Sequence, residues 1–458
     1  MKNIFLLLIL ILSNSMVAEV LLPNGLFGNN MVLQRSRPIA VFGKATPEKK
    51  VTITFKGKNY ITPVIEGYWK VFLDPSEAGG PFELTISGKN IIVYKNILVG
   101  EVWLCSGQSN MEMPLKGFKG QPVNGSNLAI LQSKNANLRF FKVPKKMAKD
   151  KTEKLYGSWE ESAQESAPNF SATAYFFGNL LQKTLGVPVG LINSSWGGTP
   201  AEAWTPKEII ENDFSNFTDW NKDPKRKHRN PNLLYNAMIH PLIPYTIKGA
   251  IWYQGEGNVK RAQQYQRLFP AMIQSWRENW AQGDFPFYFV QIAPFGKSKN
   301  HPFLREAQLK TMLHTENTGM VVTLDIGNET VIHPPEKRMV GERLAYWALA
   351  KDYGFNSLSF SGPVYKSMKV SNNKVFLFFD AAKMGLTSMG NVLKDFEIAG
   401  EDKVFYPAKA QIKKGDLVVW SDQVKKPVAV RYAWKAYVKG SLFSASGLPA
   451  SSFRTDHW

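Results

Sequence analysis

From Glu19 to about Leu98, apolar and polar residues alternate with a period of two, and turn residues break the pattern, as in "MVLQRSRPIAVFGKATPEKKVTITFKGKNY" and "PFELTISGKNIIVYKNILVG". Alternation of that length predicts an all-β sandwich without helices. From Gly100 to about Tyr353 the texture changes to short, nearly continuous apolar runs, "EVWLCSG", "VGLINSSWGG", "IKGAIWYQGEG", "PFYFVQIAPF" and "TGMVVTLDIG". Helical patterns such as "ATAYFFGNLLQKTLG" and "AQQYQRLFPAMIQSWRENW" separate them. Strand and helix in alternation predict an α/β domain, a parallel sheet covered by helices on both faces. From about Gly354 onward, strands and turns return. The expected organisation is a leader over 1–18, a β-sandwich over 19–98, an α/β domain over 99–353 and a β-rich region over 354–458.

The first residues, "MKNIFLLLILILSNSMVA", place Lys2 before an apolar run that ends at Leu12. That run is about half of the roughly 20 residues a bilayer-spanning helix needs, so it reads as a secretory leader cut after Ala18, with Ser15 as the alternative. No later stretch is apolar enough to span a membrane, and the expectation is an exported protein, periplasmic or secreted. Cys105 is the single cysteine, which excludes an intrachain disulfide and leaves stability to core burial. It reads as a buried small hydrophobe. The formal charge of +19 favours polyanionic partners. The basic run Lys222 to Asn230 has no interleaved aromatic residue and no nucleic-acid fold signature beside it, so it reads as a solvated loop.

In an open parallel sheet, ligands collect at the carboxyl ends of the strands, and here those ends carry the unusual residues. Ser109 stands where a strand hands over to a turn, the place where a nucleophilic serine is exposed, although G-x-S-x-G is not met because Met111 fills its last position. A turn or cap serine is the plainer reading of Ser109 alone. Gly197 and Gly198 could offer backbone N–H groups to an oxyanion, or form a tight turn only. Gln254, Glu256 and Asn258 cluster after one apolar strand. His333 precedes Pro334 and Pro335 at a helix entrance, where the prolines hold it extended. Serine, histidine, paired glycines and carboxamides are the set that acyl transfer needs. Neither H-E-x-x-H nor a Cys/His spacing is present, so no metal or other cofactor is expected.

Several segments, "GEVWLCSGQSNMEMPL", "SSWGGTPAEAWTP", "LYNAMIHPLIPYTIKGAIWYQGEGN", "IHPPEKRMVGERLA" and "LFSASGLPASSFRTDHW", together with "LFGNNMVLQR", make the chain similar to the sialate O-acetylesterases of the SGNH hydrolase superfamily. The resemblance runs from about Leu22 to the last residue. It implies a flavodoxin-like α/β/α catalytic domain with β-rich accessory parts and cofactor-free removal of O-acetyl groups from sialic acids or sialoglycans. It also implies Ser109 as nucleophile, His333 as base, and Gly198 or Gly197 with Gln254, and Asn258, as oxyanion donors. Many SGNH enzymes place an acid three residues before the histidine, where this chain has Thr330. Glu256 is then the first choice of acid and Asp325 the second. Three competing functions follow from the same residues: deacetylation of xylan or another plant polysaccharide, a glycosidase using Glu256 with Asp325, and a catalytically silent carbohydrate-binding protein.

Overall fold

A computed structural model describes residues 20–21, 25–46, 50–215, 225–413 and 415–458. The leader and part of the basic run lie outside the described residues.

The central sheet forms as the apolar runs require. Its strands lie in the order Trp159–Ser162, Asn135–Lys142, Val189–Ser195, Ile91–Gly107, Gly249–Tyr253, Phe287–Val290 and Thr318–Val321. All neighbours are parallel except the antiparallel edge strand Trp159–Ser162. Side chains alternate between faces, as the pleat dictates. Leu104, Trp252, Phe287 and Phe289 pack with Phe269 and Trp276 of the helix Ala262–Trp280 on one face. Cys105, Tyr253, Tyr288 and Val290 pack with Phe177, Leu344 and Ala348 of the helices Ala172–Leu185 and Lys337–Asp352 on the other. Cys105 is fully buried and burial pushes its thiol pKa up, which keeps it an inert core residue. Among the described residues, no helix is long and apolar enough to cross a membrane.

The chain leaves Ile91–Gly107 toward one side of the sheet, builds Asn135–Lys142 and Val189–Ser195, then crosses to Gly249–Tyr253 on the other side. The crevice beyond Gly107 is therefore the topological switch point, where such sheets bind ligands.

The strand Ile91–Gly107 also links two layers. Its first half pairs antiparallel with Gly79–Ser87 in the N-terminal β region, and its second half pairs parallel with Val189–Ser195 and Gly249–Tyr253. The boundary expected between residues 98 and 99 thus falls inside one continuous strand, since period-two alternation in the first half and full burial in the second belong to the same extended backbone.

At the other end, a seven-stranded antiparallel sheet follows the helix Lys337–Asp352. It is fastened to the α/β region by Arg305 of the helix His301–His314, whose buried guanidinium donates to Ser452 Oγ and to the carbonyls of Ala433, Lys435 and Ala436. Burial lowers its pKa to about 9.

Candidate active site

Ser109 owes its position to the residue two before it. Gly107 has φ +137°, and a Cβ there would meet the Tyr253 carbonyl oxygen at 2.2 Å, so only glycine lets the strand end this close to its neighbour. Gln108 then caps a short helical turn, Ser109–Glu112, donating its N–H to Tyr253 O at 3.0 Å while its Oε1 accepts from Gly257 N–H at 3.1 Å. Ser109 opens that turn half-buried, whereas Asn110 and Met111 are buried beneath it. The first N–H groups of a helix have no partner within it.

The glycine pair lies against the serine: a Cβ on Gly197 would stand 3.2 Å from Ser109 Cβ. The Gly197 N–H is already committed, donating to Glu112 Oε2 at 2.6 Å, and Lys145 Nζ pairs with the other oxygen of that carboxylate at 2.5 Å. Gly198 is exposed, with φ +72° and open space where a side chain would be.

Gln254 and Asn258 bond to each other and to the turn after the glycine pair. Gln254 Nε2 donates to Thr199 O at 3.1 Å and to Asn258 Oδ1 at 2.8 Å. Asn258 also accepts from Ala201 N–H at 2.9 Å and donates to Glu202 Oε2 at 2.8 Å, and Glu202 pairs with Arg261. Both carboxamides brace the turn that follows Gly197 and Gly198.

His333 stands on the facing loop. Its Nδ1 meets Gln121 Oε1 at 2.5 Å and its ring packs edge-on against Phe118. Because an amide oxygen only accepts, the proton sits on Nδ1 and Nε2 keeps its lone pair. Burial, then the nearby Lys337 charge, push the imidazole pKa down to about 4, with Glu112 acting in the opposite direction.

The two carboxylates are held elsewhere. Glu256 Oε1 accepts from Asn110 Nδ2 at 2.7 Å, and its Oε2 is buried without a partner. Burial raises its pKa, against the pull of the Asn110 hydrogen bond and the Lys337 charge. Asp325 forms a two-pronged pair with Arg343 at 2.9 and 2.6 Å. Neither makes the direct contact with His333 that a triad acid would make; Gln121 has that place.

The model of the sialic acid-specific acetylesterase family of carbohydrate esterases matches residues 99–350, more than half of the chain. The chain belongs to this family. It is 34% identical to human sialate O-acetylesterase and 31% identical to the Pongo abelii enzyme, each over 93% of this chain and 90% of the relative. Its fold is similar to the crystal structure of a carbohydrate acetylesterase from Xanthomonas citri, with TM-score 0.88 and 39% identity over 96% of this chain and 100% of that one.

As a member of the sialate O-acetylesterase family, the chain is a carbohydrate ester hydrolase acting on acetylated sugars. Its site contains residues that sequence reasoning passed over. Glu112 carried a usable signal, since it lies three residues after Ser109 in one helical turn and so shares its face. Lys337 carried a weaker one, four residues after His333 at a helix start. Gln121 sits in a glycine-flanked loop with no pattern to mark it.

Proposed function

We propose that the protein is an exported sialate O-acetylesterase in which Ser109 is the nucleophile and His333 the general base. His333 Nε2 takes the Ser109 proton as Oγ bonds to the acetyl carbon, and the carbonyl electrons move to oxygen. The Gly198 N–H and the N–H groups that open the Ser109 turn are the donors for that oxyanion; one such donor is worth about 3 kcal/mol of barrier. Collapse breaks the bond to the sugar oxygen, which takes the proton back from His333. Water then attacks the acetyl-serine with His333 again as base, releasing acetate and restoring Ser109.

The observation that carries this reading is the hold on His333: Gln121 fixes the tautomer with Nε2 free, the task that a triad acid performs in other serine hydrolases. Glu256 acts one step removed, through Asn110. A substrate bearing a carboxylate suits the charge of +19. A neutral acetylated polysaccharide such as xylan is the second reading, favoured by the broader name of the Xanthomonas citri relative, a carbohydrate acetylesterase.

The test is acetate release from O-acetylated sialic acid and, in parallel, from acetylated xylan, each with the mature protein and with Ser109→Ala. Release from sialic acid that disappears in the variant is the expected outcome. Release from xylan alone would move the protein to polysaccharide deacetylation, and release that survives Ser109→Ala would refute the serine mechanism.

A further inference from the structure

Lys337 is the first residue of the helix Lys337–Asp352 and has no exposed surface. Both circumstances oppose a cation, because burial strips its hydration and a helix N-terminus carries positive partial charge. A lysine kept where stability disfavours it points to a task. Its Nζ donates to Pro334 O at 2.8 Å and to Asn110 Oδ1 at 2.7 Å. Asn110 itself donates to Ile332 O at 3.2 Å and to Glu256 Oε1 at 2.7 Å. The residues on either side of His333 are thus both tied to the residue that follows Ser109, one directly and the other through the ammonium.

We infer that Lys337 is a positioning residue that locks the His333 loop onto the Ser109 turn through Pro334 O and Asn110. The inference rests on the reading of Ser109 and His333 given above. The groups facing Lys337 are Glu256, Asn110 and the ring of Tyr253, 5.5 Å from Nζ. Those acting on His333 are Lys337 and, from the serine turn, Glu112 with Lys145 behind it. Burial lowers the Lys337 pKa to about 7, so in the acid range it is charged and, after burial of the ring itself, opposes a second cation on the imidazole.

The pH dependence of kcat/KM toward 4-nitrophenyl acetate tests this with the full chain and Lys337→Met, Lys337→Gln, Lys337→Arg and Ser109→Ala. Loss of the tether lowers kcat/KM by about tenfold or more at the optimum. Loss of the charge moves the acid limb upward by about half a unit or more in the Met and Gln variants, and Lys337→Arg leaves the limb in place. Gln keeps a donor for Pro334 O and carries the test if Met does not fold. A lower rate with an unmoved acid limb in either neutral variant would reduce Lys337 to a structural role and overturn the inference. Activity that persists in Ser109→Ala would instead refute the serine reading on which it rests.

Discussion

Asn110, the residue after the proposed nucleophile, donates from Nδ2 to the carbonyl of Ile332, the residue before the proposed base, at 3.2 Å. The same side chain also binds Glu256 and Lys337, so one buried carboxamide joins the serine turn, the histidine loop and the Gln254–Asn258 segment. Small misplacements in such an arrangement are expensive, about a hundredfold per ångström. Asn110→Ala is therefore expected to lower kcat by about a hundredfold with KM changed little, measured by steady-state kinetics on an acetyl ester.

Gln121 fixes the imidazole without adding charge. Gln121→Ala frees the ring and is expected to lower kcat about tenfold or more. Gln121→Glu places a carboxylate at Nδ1, which favours the protonated ring. Because His333 must be neutral to act, the acid limb of kcat/KM, near pH 4 in the wild type from the lowered imidazole pKa, moves upward in this variant. A pH–rate profile checks both.

Glu112 raises the His333 pKa and occupies the Gly197 N–H, so in the proposed mechanism it stabilises the imidazolium that forms as His333 takes the serine proton. Glu112→Gln keeps an acceptor for that N–H and removes the charge. The His333 pKa then falls further and the imidazolium loses stabilisation, so kcat is expected to drop about fivefold to tenfold while the acid limb moves down. A pH–rate profile checks the direction.

Asp325 and Glu256 separate by their partners. Asp325→Asn breaks a largely buried pair with Arg343 and is expected to cost about 3 kcal/mol of stability while changing kcat only a few-fold. Glu256→Gln acts on the Asn110 and Lys337 network and is expected to lower kcat by about tenfold or more. Denaturant unfolding and kinetics on the two variants distinguish them.

Much of the fold was legible in the chain because buried parallel strands are nearly continuous in apolar residues and the helices between them are periodic. The positions of the candidates Ser109 and His333 were legible for a related reason, since one follows the end of a strand and the other precedes the start of a helix, where backbone geometry is constrained. The links between them were not. Asn110, Gln121 and Lys337 act through contacts between segments more than 200 residues apart in sequence, and nothing local sets a buried asparagine apart from an ordinary turn residue. The strand end marks Gln254 and Asn258 as clustered polar groups, and only the folded chain shows that both carboxamides bond to the turn after Gly198.

The most direct test of the central claim is to trap the covalent intermediate. The protein is mixed with an acetyl ester, quenched in acid within the first turnover and digested, and the peptides are measured by mass spectrometry. An acetyl-sized increment on Ser109, lost in a slow chase and not formed in His333→Ala, is the expected result. Full acetate release with Ser109 unmodified at every quench time, or unchanged turnover by Ser109→Ala, would contradict the account.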